Sequence, residues 1–230
     1  WTGRIQVFEL QQRAQGEDLF TEDGEPNFTE DDVRDFWNQT SEQREAGVFI
    51  PQQRVEEQLP LGAFDTALTA SEMTWDNFGA GYLANLGEGY PELNLVAPPV
   101  TEEGAQDLYQ KASMLLSAAE GTDHPEAAAI FLDFMINDPE VGAVFGTNRG
   151  LPASETARSN ADLAGLDAQI EEYEASIADR LGETPPVPIV GYGNIEEEFR
   201  VLGTELAFGT ITVDEAVDRL FTEMDVILNS

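Results

Sequence analysis

A helix-rich α/β fold is predicted by two sets of observations. Several segments repeat apolar residues every three to four positions and begin on residues suited to capping a helix, while a few short apolar runs are too brief for helices and stop at proline or glycine. No internal repeat or low-complexity tract suggests another architecture. With 230 residues the chain has material for one large domain or two small ones, and 41% apolar content is ample for a core.

In chain order, "NFTEDDVRDFWNQTSEQREAG" predicts a helix. Thr29 caps it, acids fill its first turn, Gly47 ends it, and Val33, Phe36, Trp37 and Thr40 share a face. Residues 62–78 have β-branched, alternating character and lead through an aromatic turn into the short helix "GAGYLANLGE". "LNLVAPPV" (93–100) predicts a strand stopped by Pro98-Pro99, and "KASMLLSAAE" (111–120) a second one. "DHPEAAAIFLDFMIN" starts a helix with Pro125 in the first turn, and Ala127, Ile130, Phe131, Phe134 and Met135 are its expected buried face. Asp138 caps the next helix, with Val141, Val144 and Phe145 inward and an end near Gly146.

Residues 160–181 set Leu163, Leu166, Ile170, Tyr173, Ile177 and Leu181 at helical spacing, which predicts one long amphipathic helix. A Pro/Gly-rich connector, "GETPPVPIVGYGN", then reaches a helix capped by Asn194 and running to about Phe208. Thr212 and Glu215 form a capping box for the last helix, with Val217, Leu220, Phe221, Met224 and Leu228 on its core face.

Charge and composition exclude several functions. A net charge of −34 repels phosphates and offers no basic stripe, which argues against nucleic acid and against an anionic membrane surface. The excess acid is expected to be a solvated, mutually repelling surface rather than a dedicated cation site. Lys111 is the single lysine beside ten arginines, a bias that fits GC-rich coding or salt adaptation. Without cysteine there is no disulfide, thiolate zinc site or thiol nucleophile. The lone His124 supports neither a metal site nor a histidine triad, and the acids near Asp23-Gly24 lack the spacing of a calcium loop. No metal and no cofactor is therefore expected. No apolar run approaches the roughly 20 residues of a membrane span, so no insertion of this segment is expected.

Two places could carry recognition. In "SEMTWDN", Trp75, Asp76 and Asn77 combine an aromatic face with planar groups that hydrogen-bond vicinal hydroxyls, the mixture a sugar ring needs. The alternative is that Trp75 packs in a core and Asp76 starts a helix. Glu72 and Asp76 also raise glycoside hydrolysis by a carboxylate pair. Tyr192, between two glycines before a helix, is either a ligand contact or a connector aromatic. A third reading is an interaction module whose acidic surface binds cations.

"HPEAAAIFLDFMINDPEVGAVFGTNRGLPAS" resembles the family 1 extracellular solute-binding proteins of ABC sugar importers (maltose-binding-protein-like) through His124-Pro125-Glu126, Ala128, Phe131-Leu132, Phe134, Asp138-Pro139-Glu140, Gly146, Arg149, Gly150, Pro152 and Ser154. "LFTEDGEPNFTEDDVRDFW", "AFDTALTASEMTWDN" and "GTITVDEAVDRLFTEMDVIL" are similar to other segments of that family in the same order, although its usual "GKAAM" is kept only loosely.

The resemblance implies a periplasmic-binding-protein-like class II fold, of which this chain is the carboxy-terminal portion with the first lobe largely absent. Residues 1–108 and 153–230 would build the second lobe, and 109–152 would cross into the first lobe and return. It implies no enzyme. Its expected role is to hold a carbohydrate in an interlobe cleft and deliver it to the permease subunits of an ABC importer, outside the membrane as an anchored lipoprotein or in a periplasm. Trp75, Asp76, Asn77 and Tyr192 would lie on the cleft side, and Arg149 near the crossing, as a donor or hinge residue.

Overall fold

In the computed structural model, residues 3–99, 102–161 and 163–229 are described; Val100, the last residue of the strand expected at 93–100, lies outside them. The helices in chain order are α1 (Ile5–Ala14), α2 (Glu30–Asn38), α3 (Ser41–Glu45), α4 (Gln52–Glu56), α5 (Gly79–Leu86), α6 (Pro125–Asn137), α7 (Pro139–Phe145), α8 (Glu155–Asn160), α9 (Leu166–Ser176), α10 (Tyr192–Phe208) and α11 (Val213–Leu228). The chain forms two compact units: residues 1–73, 99–110 and 179–230, and residues 74–98 and 111–178.

The first unit is organised around α1, α2, α10 and α11. Phe8, Phe36, Trp37, Phe199, Leu202 and Leu220 are almost fully buried. Phe8 meets Phe28 edge-on at 5.3 Å, and the Trp37 and Phe199 rings are 5.0 Å apart. Local chemistry sets the helix starts. Thr29 and Thr212 each receive the backbone N–H three residues on, while Asp32 and Glu215 accept from the cap's own N–H, so both ends satisfy donors that would otherwise face solvent unpaired. The α1 helix was not foreseen from sequence, yet Ile5, Val7 and Phe8 make it part of the core.

The helix expected from Thr29 to Gly47 is interrupted at Gln39–Thr40 and continues as α3. Tyr192, not Asn194, begins α10, because Gly191 takes the left-handed conformation (φ 88°) that an N-cap side chain would have found costly.

The second unit holds α5 to α9. α6 packs on α7 and α8, and α7 lies against α8 so closely that a Cβ on Gly142 would fall 2.6 Å from the Ala157 carbonyl oxygen. Asp138 caps α7 as expected by accepting from the Glu140 N–H at 2.8 Å. The long helix expected over 160–181 is instead α8 and α9, separated where Ala161 becomes extended and Gly165 takes a positive φ of 60°.

The apolar face of α6 is not buried: Ile130 is 72% exposed and Phe131 59%, with Ala127 and Phe134 also exposed. Only Met135 of that predicted face is half-buried. Val144 of α7 is exposed as well, whereas Val141 and Phe145 are half-buried. An amphipathic helix hides its stripe only when a second surface meets it, and none of the described residues covers this one.

The runs expected to be strands at 62–78, 93–100 and 111–120 form no strand among the described residues; what pairing exists is in isolated bridges, such as Leu108 with Leu181. A strand is defined by the ladder it makes with a neighbour, so an apolar run without a pairing partner stays irregular, and Leu115 remains 85% exposed. The helix-rich part of the expected fold is present, and among the described residues no sheet accompanies it.

Candidate functional site

Trp75, Asp76, Asn77 and Arg149 all belong to the second unit. The chain arrives extended at Trp75 (φ −74°, ψ 143°), turns through the short 3₁₀ segment Asp76–Phe78, and enters α5. Gly79 at the start of α5 is buried against Leu166, whose side-chain carbon would lie 2.9 Å from an added Cβ. This close approach anchors the turn that presents Trp75 and its neighbours, all half-buried. Burial raises the Asp76 carboxyl above its ordinary value, against the backbone N–H groups of Asn77 and of Asp76 itself, which pull it down.

Sequence reasoning missed Lys111. Its Nζ stands 4.5 Å from the centroid of the Trp75 ring, a cation–π contact. No local motif signals it, because Lys111 and Trp75 are remote in sequence and only folding joins them.

Arg149 lies in a tight turn after α7. The helix closes with the Gly146 N–H donating to the Gly142 carbonyl at 3.0 Å, and Gly146 turns the chain with φ 50°. The Asp167 carboxylate fills the space beside it: a Cβ at Gly146 would be 2.6 Å from Asp167 Oδ2. Buried Thr147 donates its hydroxyl to Asp167 Oδ1, and the Gly150 N–H closes the turn on the Thr147 carbonyl at 2.9 Å. The Arg149 guanidinium lies over the Phe145 ring, 3.6 Å from its centroid, and its backbone carbonyl accepts the Ser113 hydroxyl. Ser113 is two residues from Lys111, so one short segment touches both the Trp75 and the Arg149 neighbourhoods.

Tyr192 belongs to the other unit. It is half-buried, edge-on to Phe20 at 6.1 Å, and its phenol is raised by burial and then by the Glu9 and Glu196 carboxylates. In the same unit Glu9 accepts the Tyr109 hydroxyl at 2.7 Å. Arg13 lies 5.0 Å from the Tyr109 centroid and donates to Asp18 and to the Glu183 carbonyl. Nearby, Arg180 grips buried Asp107 with two hydrogen bonds of 3.0 and 2.6 Å. This buried polar cluster also escaped sequence reasoning, since its members come from distant segments.

The carboxylate pair of the hydrolase reading finds no support, because Glu72 is engaged by the Arg4 guanidinium. Among the described residues no group of three or more His, Asp or Glu side chains could hold a metal ion, and no helix is long and apolar enough to cross a membrane. A solvent-open groove of about 270 Å³ in the second unit is lined by Asn94, Leu95, Gln169, Glu172, Tyr173 and Ser176, none of them a candidate ligand-binding residue from sequence.

No family model matches the chain. Solved structures do. The chain is similar over 99% of its length to an extracellular solute-binding protein family 1 structure from Alicyclobacillus acidocaldarius, at 22% identity and a TM-score of 0.76. It is equally similar, at 18% identity and a TM-score of 0.76, to a periplasmic solute binding protein from Pectobacterium atrosepticum. The chain spans 59% of the first structure's length and 58% of the second's. Its fold is thus part of a periplasmic-binding-protein-like fold, rich in helix.

Proposed function

We propose that the chain is a large part of the extracellular or periplasmic solute-binding component of an ABC importer, and that its solute is a carbohydrate. The observation that carries the first half is the match of almost the whole chain to two solute-binding protein structures. The carbohydrate half rests on Trp75 with Asp76 and Asn77: an indole face beside a carboxylate and an amide suits the apolar face and vicinal hydroxyls of a sugar ring.

In this reading Trp75 stacks, Asp76 and Asn77 hydrogen-bond hydroxyls, and Arg149 donates or steadies the segment it sits in. Residues 109–152 are the part that crosses into a first lobe, and that lobe covers the exposed apolar stripe of α6. No bond is made or broken. Capture is coupled to closure of the protein on its solute, and the permease reads the closed state by its differential affinity for it. Export, and anchoring as a lipoprotein, belong to the same reading.

Isothermal titration of the protein, with whatever sequence flanks this chain in its gene, against a panel of oligosaccharides tests this. Binding of at least one is expected, and Trp75→Ala should weaken it about tenfold through loss of stacking. A panel that gives no heat sinks the carbohydrate assignment; unchanged affinity in the variant removes Trp75 from the site.

A further inference from the structure

Ion pairs gather in the first unit, where seven arginines face carboxylates. The second unit has three cations, Lys111, Arg149 and Arg158, and acidic residues outnumber them, yet among the described residues none of the three is within ion-pair distance of a carboxylate. Arg158 donates to the Pro152 carbonyl at 2.9 Å. Lys111 and Arg149 instead rest on the Trp75 and Phe145 rings. An aromatic face holds a cation in place without neutralising it, and leaves its N–H donors available. The Ser113 hydroxyl bonded to the Arg149 carbonyl ties the segment that carries Lys111 to the turn that carries Arg149, with Lys111 over Trp75 and the Arg149 guanidinium over Phe145.

We propose that Lys111 and Arg149 recognise a carboxylate on the solute, so that the carbohydrate taken is an acidic one, an oligosaccharide containing uronic acid. This rests on the carbohydrate reading above and narrows it. An anion approaching a chain of net charge −34 is repelled at a distance and binds only where local cations are not already spent on the protein's own acids. A sugar ring that takes the Trp75 face must displace the Lys111 ammonium sideways. A neutral sugar gives nothing back for that lost contact, whereas a uronate accepts a charge-assisted hydrogen bond from the displaced group, whose four-carbon stem lets it follow.

The test is titration of the gene's whole product with a galacturonate trimer, neutral maltotriose and a non-sugar carboxylate, citrate. Wild type should bind the galacturonate trimer at least tenfold more tightly than maltotriose. Lys111→Met and Arg149→Gln should each weaken the galacturonate trimer roughly tenfold, the scale of one charge-assisted bond. Lys111→Met should not weaken maltotriose and should tighten it if it changes it, because a neutral sugar no longer has to displace the ammonium from the Trp75 face. Lys111→Arg, which keeps the charge, should restore most of the loss, and equal melting temperatures establish that the variants fold. Maltotriose bound as tightly as the galacturonate trimer, or an unaltered galacturonate affinity in Lys111→Met, overturns the proposal. Citrate bound through Lys111 with no saccharide bound overturns the carbohydrate reading and the uronate assignment while keeping the cation pair. Silence toward all three probes overturns both.

Discussion

Glycine at 146 is required twice over. Its φ of 50° with ψ −127° lies outside even the left-handed helical region, where a Cβ already costs about 1–2 kcal/mol, and the space a Cβ needs is taken by the Asp167 carboxylate. Gly146→Ala should lower the unfolding free energy by at least that amount in urea titration; a loss under about 0.5 kcal/mol, the scatter of a neutral surface change, would contradict the geometry. Asp76 offers a test of burial. Because its folded-state carboxyl is raised, the native chain holds that proton more tightly than the unfolded chain, so the ionised group opposes folding at neutral pH. The penalty is complete above the raised value and absent below the ordinary carboxylate value of about 3.9. Asp76→Asn should therefore melt above wild type at pH 7, and the two should converge as the pH falls toward about 3.5, below that value. A gap that persists in acid would mean the effect is not one of charge.

At the scale of elements, stability depends on how each helix satisfies its ends and its stripe. α11 has both in hand: its capping box is complete, and Ala216, Val217, Leu220 and Met224 are buried. Thr212→Ala should cost about 1 kcal/mol by chemical denaturation at pH 7. Glu215, held below its ordinary value chiefly by the Thr212 backbone N–H and then by its hydroxyl, supplies the reciprocal bond. The hydroxyl-to-carboxylate bond, which alanine removes while the backbone bond survives, contributes above the ordinary glutamate range and is lost as pH falls through the lowered value, so the Thr212→Ala deficit should shrink in acid. A deficit that grows there would exclude the box as its cause. α6 shows the opposite case. Its stripe was legible from Ile130, Phe131 and Phe134, and the helix formed where expected, but the stripe has no surface to meet among the described residues.

For the whole molecule, burial is unevenly divided. Most buried apolar side chains belong to the first unit, including the Phe8, Trp37 and Phe199 cluster, while the second contributes Ala157, Ile170 and Ile177. Opening free energy follows buried apolar contact, so amides of α6, α7 and α9 should exchange with solvent water at lower free energy than those of α2, α10 and α11. Native-state hydrogen exchange measures this, and equal protection across both groups would contradict it.

The sequence by itself determined four helix starts, because capping acts within a few residues: Thr29, Asp138 and Thr212 cap where expected, and Pro125 opens α6. It also showed Trp75, Asp76 and Asn77 as neighbours, since they are adjacent in the chain. Only the tertiary structure decided three other things. It left the apolar runs at 93–99 and 111–120 without ladders, because strand formation depends on a partner that local sequence does not specify. It left the stripe of α6 in solvent, because amphipathicity states that a face is apolar and not what covers it. And it set Lys111 over Trp75, with Arg149 joined to the same segment through Ser113, because contacts between distant residues exist only once the chain has closed on itself.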